Sequence, residues 1–136
     1  MSPKGSKNSI FVIQKHKASH LHYDFRLEKD GILKSWAIPK KPPEEKGIKR
    51  LAVQVEDHNL DYANFEGEIA EGLYGAGQVK IWDKGDYMPL KFESKEIIFE
   101  LKGRRLKGIY CLIKLKPKIK KDNNWLFFKK ESSARK

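Results

Sequence analysis

The chain has 136 residues, of which 39% are hydrophobic and 11% aromatic; this size and composition are typical of one folded domain and exclude a disordered chain. Twenty-nine Lys and Arg against 18 Asp and Glu leave a formal net charge of +11, which favours a polyanionic partner because phosphate contacts release counterions. Charge alone names no function. We expect a single domain over residues 1–136, with flexible basic tails at residues 1–9 and 130–136.

The features that report on cellular compartment point to the cytoplasm. Cys111 is the single cysteine, so no disulfide can form within the chain, and its apolar neighbours favour a buried, inert thiol. No apolar run approaches the ~20 residues of a membrane span. The apolar run from Ile10 to Ile13 is too short for the core of a signal peptide. The sequence therefore predicts a cytoplasmic protein that contacts no membrane.

Apolar and polar residues alternate along much of the chain, which is the two-residue periodicity of half-buried β-strands. The alternation is cleanest from Leu21 to Glu28. Turn signals at Asp30-Gly31, Lys84-Gly85 and Lys102-Gly103 separate some of these segments. In chain order, the predicted strands are Ile10–His16, Leu21–Glu28, Ile32–Ile38, Leu51–Glu56, Gln78–Trp82, Glu96–Lys102, Gly108–Lys116 and Trp125–Lys129.

The number and length of these strands predict the fold. We expect at most a turn or two of helix in each of the segments Asn59–Asn64 and Gly67–Gly72. We expect a polar surface loop over Pro39–Arg50. Many short strands in one small domain favour a closed antiparallel sheet, because closure removes exposed sheet edges. The predicted fold is mainly β: a compact antiparallel β-barrel of about eight strands with short flanking helices.

The second predicted strand places His22, Asp24 and Arg26 on its polar face. Such a row commonly just faces water, but solvent faces are mostly filled with Lys, Glu and Thr. In this row His22 offers a neutral nitrogen ligand and Asp24 an anionic oxygen ligand. Arg26 offers two parallel hydrogen bonds to a phosphate. If the first two predicted strands pair as a hairpin, His16 approaches His22 and Asp24. The three residues then form an open site for a divalent transition metal such as Mn²⁺ or Zn²⁺.

Three further features carry less information. Gln54, Glu56 and His58 recur at every second position and form another polar row on the fourth predicted strand. His20 shares the parity of His22 but lies in the connection before it, where surface exposure is expected. The glycine-rich string Gly72–Gly77 precedes a strand pattern and not a helix, so it indicates tight turns and not a nucleotide-binding loop.

Five blocks of the sequence occur in an order that is typical of one known family. The blocks are Phe11–Glu28, Leu33–Lys40, Arg50–His58, Tyr62–Gly67 and Glu71–Gly77. Together they closely resemble the 3′-phosphoesterase module of bacterial and archaeal DNA ligase D. The resemblance runs from about Phe11 to Trp82, with a weaker similarity at Trp125–Lys129.

The resemblance implies a β-barrel enzyme, usually Mn²⁺-dependent, that processes the 3′ ends of broken DNA in non-homologous end joining. In this family a 3′-terminal ribonucleoside is removed, and the 3′-phosphate that remains is hydrolysed to a 3′-hydroxyl. The resemblance implies metal ligands at His16, His22 and Asp24, with Zn²⁺ or Co²⁺ as alternatives to Mn²⁺. It implies that Arg26 and His58 hold the scissile phosphate. The supporting active-site positions that it implies are Gln14, Arg50, Glu56 and Tyr62.

The resemblance also implies the partners of the protein. These are nucleic acid 3′ ends, namely primer–template DNA that ends in a 3′ ribonucleotide or a 3′-phosphate. The sequence begins with Met and resembles neither the ligase nor the polymerase module, so it is expected to be a free-standing monomer that meets a DNA ligase, a polymerase and Ku as separate proteins. His20 stands where the family commonly has Arg, a change that either weakens a backbone contact or adds a nitrogen beside the metal.

Two other functions use the same features. A non-haem iron oxygenase would use His22, Asp24 and His58 as a two-histidine, one-carboxylate triad, and turnover with iron and 2-oxoglutarate would favour it. That function leaves the basic surplus without a role. A non-catalytic nucleic-acid-binding barrel would stack bases on Trp36 or Trp82, although both lie in apolar patterns where core packing is expected. Metal-independent binding without end processing would favour that alternative.

Overall fold

The computed structural model describes residues 9–72, 76–119 and 122–130. Most of the two predicted tails, residues 1–8 and 131–136, and residues 73–75 of the glycine-rich string lie outside the described residues. Among the described residues, no helix is both long enough and apolar enough to cross a membrane. A 3-10 helix spans Leu60–Asn64. The strands are β1 Ser9–Lys17, β2 Leu21–Lys29, β3 Ile32–Ile38, β4 Lys49–Asn59, β5 Gly67–Ile69, β6 Gly77–Phe92, β7 Glu96–Lys102, β8 Lys107–Lys114 and β9 Asn124–Lys129.

The strands pair into one sheet that closes on itself. The order around the ring is β1-β2-β3-β4-β9-β8-β7-β6, and β6 pairs with β1 to complete it. The short strand β5 adds to the beginning of β6. The described residues therefore form a closed eight-stranded antiparallel barrel with very little helix, which confirms the predicted fold class.

Alternate side chains of the strands fill the interior of the barrel. On β2, Tyr23, Phe25 and Leu27 are buried in the core, as their periodicity predicts. Cys111 is buried, and burial raises the pKa of its thiol, in keeping with an inert cysteine. The rings that contact Phe25 at the centre of the core belong to Phe11, Trp36, Phe99 and Phe127.

Two predictions of local structure are wrong. Lys84-Gly85 is not a turn, because β6 keeps its pairing with β1 through this point and continues to Phe92. A glycine is needed there because a Cβ at Gly85 would lie 2.3 Å from the carbonyl oxygen of Lys102. The segment Gly67–Gly72, expected to be helical, begins with the strand Gly67–Ile69.

The connection between β3 and β4 is shorter and less exposed than predicted. Lys49 and Arg50 already belong to β4. Pro42 and Pro43 are buried, and the hydroxyl of Tyr110 donates a hydrogen bond to the carbonyl oxygen of Pro43 at 2.8 Å. The two prolines therefore tie this loop to β8, and they do not simply face water.

A register shift between β3 and β4 reverses the alternation of β4. Gln54 pairs with Trp36, whose side chain lies in the core, and it accepts a hydrogen bond from the indole of Trp125 at 3.2 Å. Beyond the shift, His58 pairs with Leu33. The Leu33 side chain lies on the outer side of the barrel wall, where it is buried in a second cluster with Val12 and Ala63. Because residues directly opposite one another share a face, Gln54 and His58 lie on opposite faces of the wall. The single polar row predicted on this strand is therefore wrong.

One buried carboxylate fixes the turn between β7 and β8. Asp83 lies on β6 and is 4% exposed. Its oxygens accept hydrogen bonds from the backbone N–H groups of Lys84, Arg104, Arg105 and Leu106, at 2.8 to 3.2 Å. A carboxylate that accepts this many backbone hydrogen bonds holds the turn rigidly against β6.

Asp83→Ala is expected to lower the free energy of unfolding by roughly 3 kcal/mol, because buried N–H donors left without an acceptor cost about 1–3 kcal/mol. Urea denaturation measures this change. Glu93→Gln is the matched control, since it loses an exposed ion pair with Lys91 at 3.9 Å. Its effect is expected to stay below about 1 kcal/mol. Equal stabilities of the two variants would contradict a structural role for Asp83.

Candidate active site

Polar side chains of the β1–β2 hairpin meet on the outer surface of the barrel. In the antiparallel ladder His16 lies directly opposite His22, and Gln14 directly opposite Asp24. Because alternate residues of a strand share a face, these four side chains project to the same side. The hairpin predicted from spacing is present, and it brings together residues from both strands.

His16, His22 and Asp24 form a compact cluster. Asp24 Oδ2 lies 3.4 Å from His16 Nδ1 and 3.3 Å from His22 Nε2. One ligand atom from each residue can be chosen so that all three lie within 4.8 Å of one another. Two imidazole nitrogens and a carboxylate oxygen are a donor set that first-row transition metals prefer. The cluster therefore fits a metal site.

The hydrogen bonds of His22 turn its ring toward Asp24. Its Nδ1 lies 3.3 Å from the carbonyl oxygen of His20, so donation by Nδ1–H leaves Nε2 to face the carboxylate. The hydrogen bond to Asp24 raises the pKa of His22 and outweighs the opposing effect of burial. Burial favours a higher pKa for Asp24, but the hydrogen bond and charge of His22, together with Arg26, hold it below its ordinary value. A bound metal ion would take the place of the proton between the two groups.

Arg26 is buried beside the cluster and held from two sides. Its Nε donates to Gln14 Oε1 at 2.7 Å, and its Nη1 donates to Ser35 Oγ at 2.8 Å. Its Nη2 lies 3.6 Å from Asp24 Oδ2, and its guanidinium carbon lies 4.8 Å from the centre of the Tyr62 ring. Burial lowers the pKa of Arg26, against the effect of Asp24, but an arginine remains charged in such a site. The guanidinium is therefore fixed in place.

The sequence did not single out Ser35. Ser35 lies directly opposite Arg26 in the β2–β3 ladder. This neighbour relation could be used to find Ser35 only after the pairing of the two strands is known. Gln14 was predicted as a supporting residue, and its amide is engaged on both sides: it accepts from Arg26 and donates to the carbonyl oxygens of Tyr62 and Phe65 at 2.9 and 3.2 Å. Gln14 thus joins the guanidinium to the segment that follows β4.

That segment carries a stack of three aromatic rings beside the cluster. The ring centres of His58 and Tyr62 are 4.5 Å apart, and those of Tyr62 and Phe65 are 5.0 Å apart, with interplanar angles of 15° and 12°. Burial and the charge of Arg26 lower the pKa of His58, against Asp24 and other nearby carboxylates, so the imidazole is neutral at pH 7. Burial likewise raises the pKa of the Tyr62 hydroxyl.

Two predicted supporting residues lie apart from these contacts. Arg50 donates from Nε to the carbonyl oxygen of Lys41 at 2.8 Å. Glu56 is exposed, and its charge raises the pKa of His58. Within the described parts of the chain, no hydrogen bond or ion pair joins either residue to the metal cluster. The roles of Arg50 and Glu56 stay predictions.

The alternative functions gain little from the structure. Within the described residues, the group that could hold a metal contains His16 and not His58, so the oxygenase triad of His22, Asp24 and His58 does not form. Trp36 is 1% exposed and lies in the core. Trp82 packs against the core and lies under the guanidinium of Arg105. Trp36 is therefore closed to a base, and Trp82 is partly buried and already engaged by a guanidinium.

The chain is similar to known proteins over most of its length. Residues 14–114 match the model of the DNA Ligase D 3′-phosphoesterase domain. The chain is 50% identical over 130 residues to the multifunctional non-homologous end joining protein LigD of Pseudomonas aeruginosa, and 46% identical over 135 residues to that of Mycolicibacterium smegmatis. These matches cover 92% and 91% of this chain but 16% and 17% of the relatives, so the chain spans about a sixth of their length.

A cluster of two histidines and a carboxylate lies beside a buried arginine on the outer face of a closed β-barrel, an arrangement that fits a metal-binding protein with a site for an anion. The chain belongs to the DNA ligase D 3′-phosphoesterase family. Membership supports a hydrolase-type activity.

Replacing His16, His22 or Asp24 by alanine is expected to lower the affinity for Mn²⁺ by more than about tenfold, because each residue supplies one of three ligand atoms. Calorimetric titration of the metal-free protein measures the affinity, and circular dichroism checks the fold. His20→Ala is the matched control, because His20 reaches His22 through its backbone carbonyl. Parental affinity in all three alanine variants would mean that the metal binds elsewhere.

In the metal-free protein, His58 is expected to titrate below its ordinary pKa of 6.5. The folded state then binds this proton less tightly than the unfolded chain, so His58 costs stability as the pH falls below about 6.5 and has no such effect well above it. NMR titration of the imidazole signals, assigned with His58→Gln, measures the pKa. Glu56→Gln is expected to lower it further by removing a negative charge, and a pKa above 6.5 would contradict the burial argument.

Proposed function

We propose that the protein is a metal-dependent phosphoesterase that processes the 3′ ends of DNA and of RNA-tailed DNA. It removes a 3′-terminal ribonucleoside as a phosphodiesterase and then removes the 3′-phosphate as a phosphomonoesterase, leaving a 3′-hydroxyl that can be ligated. The observation that carries the proposal is the sharing of one carboxylate oxygen: Asp24 Oδ2 lies within 3.6 Å of nitrogens of His16, His22 and Arg26. The proposed metal ligands thus lie next to Arg26, the proposed hydrogen-bond donor to the phosphate.

In this proposal His16, His22 and Asp24 hold Mn²⁺, with Zn²⁺ or Co²⁺ as alternatives, and the ion supplies positive charge to a phosphate oxygen. Arg26 donates to non-bridging oxygens of the same phosphate. Because its guanidinium is already fixed, little rotamer entropy is lost when it binds. Gln14 positions Arg26, and Ser35 does so from the other side.

His58 holds the phosphate through a ring N–H, or it protonates the leaving oxygen, and the second role requires the additional proton of the imidazolium form. An arriving phosphate favours that proton, because a nearby negative charge raises the pKa of a histidine. Tyr62 supports His58 by stacking on its ring. A cavity of about 390 Å³ lies beside His58, Tyr62 and Phe65. Cavities of about 300–1,000 Å³ accommodate small ligands, so this one has room for a terminal nucleoside.

The biological setting follows from the relatives, whose names describe non-homologous end joining proteins. We extend that setting to this chain, as one domain over residues 1–136 that acts as a monomer on DNA ends. A DNA ligase, a polymerase and Ku are the proposed protein partners. Arg50 and Glu56 are proposed to support binding of the DNA end.

A 5′-labelled primer–template that ends in one ribonucleotide tests the activity, with Mn²⁺ or with a chelator. The expected products are a shortened strand with a 3′-phosphate and then the 3′-hydroxyl form, in the presence of metal alone. A primer that ends in a deoxynucleotide is expected to react at least tenfold more slowly, because a site built to bind a hydroxyl group leaves polar groups unpaired when the hydroxyl is missing.

The outcomes separate the parts of the proposal. Equal rates for the two primers would contradict the preference for a ribonucleoside and leave a 3′-phosphoesterase that does not distinguish the two sugars. An absence of products with Mn²⁺, Zn²⁺ and Co²⁺ would contradict the proposed activity as a whole. The Asp24→Ala variant is the negative control, since it removes the carboxylate that the proposed groups share.

A further inference from the structure

The barrel wall that carries the candidate active site on its outer face carries cations on its inner face, at the mouth of the barrel. Lys15 lies between Gln14 and His16 in β1, so its side chain projects to the opposite side from theirs. In the ladders Lys15 is directly opposite Tyr23 of β2 and Lys80 of β6. Two lysines therefore face each other across the strands directly behind the candidate metal ligands.

Arg105 is a third cation, connected to this pair through two aromatic rings. Its guanidinium carbon lies 4.6 Å from the centre of the Trp82 ring, and its Nε donates to the carbonyl oxygen of Trp82 at 3.0 Å. The Trp82 ring meets that of Tyr23 edge-on at 5.5 Å, and Tyr23 is the ladder neighbour of Lys15. We call Lys15, Lys80 and Arg105 the cationic strip.

In residues 9–72, 76–119 and 122–130, the strip residues form no ion pair with a carboxylate, although Asp83 lies at the turn of Arg105 and accepts from its backbone N–H. Like charges directly opposite in an antiparallel ladder repel one another. Arg105 is also held in place, since Asp83 fixes the backbone of its turn. The fold thus keeps Lys15 and Lys80 opposite one another, with Arg105 connected to them through the Trp82 and Tyr23 rings, and an anion would relieve the repulsion between the lysines.

We propose that the cationic strip binds the phosphate backbone of the DNA strand next to the 3′ end that is being processed. The proposal rests on the proposed function, because it requires a DNA end at His16, His22 and Asp24. A strand whose end lies at the outer face can cross the end of β1 and reach the strip, which is one residue away from His16 along the chain. The strip then holds the DNA, and the outer face acts on its end.

Fluorescence anisotropy with a labelled primer–template that ends in a 3′-hydroxyl tests this proposal without cleavage. The triple variant Lys15→Gln, Lys80→Gln and Arg105→Gln is compared with the parent between about 50 and about 200 mM salt. Its affinity near physiological salt is expected to fall at least tenfold. The slope of log affinity against log salt is expected to become shallower by about 3, or about 1 for each phosphate contact that is lost.

The matched control removes the same charge at the opposite end of the barrel. Lys95, Lys116 and Lys118, each changed to Gln, lie in the turns between β6 and β7 and between β8 and β9. This control is expected to keep most of the parental affinity and slope. Equal losses in the two triple variants would overturn the proposal, because they would report net charge alone, and so would an unchanged affinity in the strip variant.

Two further measurements keep the result interpretable. If the strip triple variant does not fold, as judged by thermal unfolding, the exposed Lys80→Gln alone is compared with Lys95→Gln, and a slope change of about 1 in the first alone is expected. Cleavage by the parent with Mn²⁺ is measured separately. If the parent binds DNA through the strip but does not cleave it, the proposed function is contradicted. If the strip variant binds and cleaves DNA as well as the parent does, the proposed role of the strip is contradicted.

Discussion

The register between β1 and β2 is the constraint on which the candidate site depends. The same ladder that buries Phe25 and Leu27 sets His16 opposite His22 and Gln14 opposite Asp24. A slip of one residue would move every side chain of a strand to the other face, which would expose the core and scatter the ligands together. Because the apolar core strongly specifies the register, it also specifies the geometry of the polar cluster.

The opposite charges of Asp24 and Arg26 stabilise the polar cluster, which is largely shielded from water. Arg26 is 3% exposed, and a buried cation of this kind is tolerated when it is paired and hydrogen-bonded. Asp24, Gln14 and Ser35 meet that requirement from three directions. The arrangement leaves the cluster of His16, His22 and Asp24 next to a fixed guanidinium, so groups that fit a metal ion and a group that fits an anion are held together by the fold.

Register shifts in the ladders turn some side chains to a face of the barrel that regular alternation would not give them. The shift between β3 and β4 turns His58 outward, so that its ring stacks on Tyr62 beside Arg26. The shift between β1 and β6 occurs next to Trp82, whose ring packs inward and supports Arg105. Bulges of this kind redirect side chains near functional sites. One wall of the barrel thus carries the histidine–carboxylate cluster on its outer face and the cationic strip on its inner face.

The sequence by itself determined most of the strand pattern, the fold class and the grouping of the candidate metal ligands, because these depend on local alternation and on residues that are neighbours in one hairpin. His16, His22, Asp24 and Arg26 could all be found in this way. The tertiary structure alone decided that Gln54 faces inward while His58 joins the site, that Ser35 holds Arg26, and that β6 runs on through Gly85. The physical reason is that bulges, cross-strand neighbours and close backbone contacts depend on which strands pair, and that pairing is settled by the closing of the whole barrel.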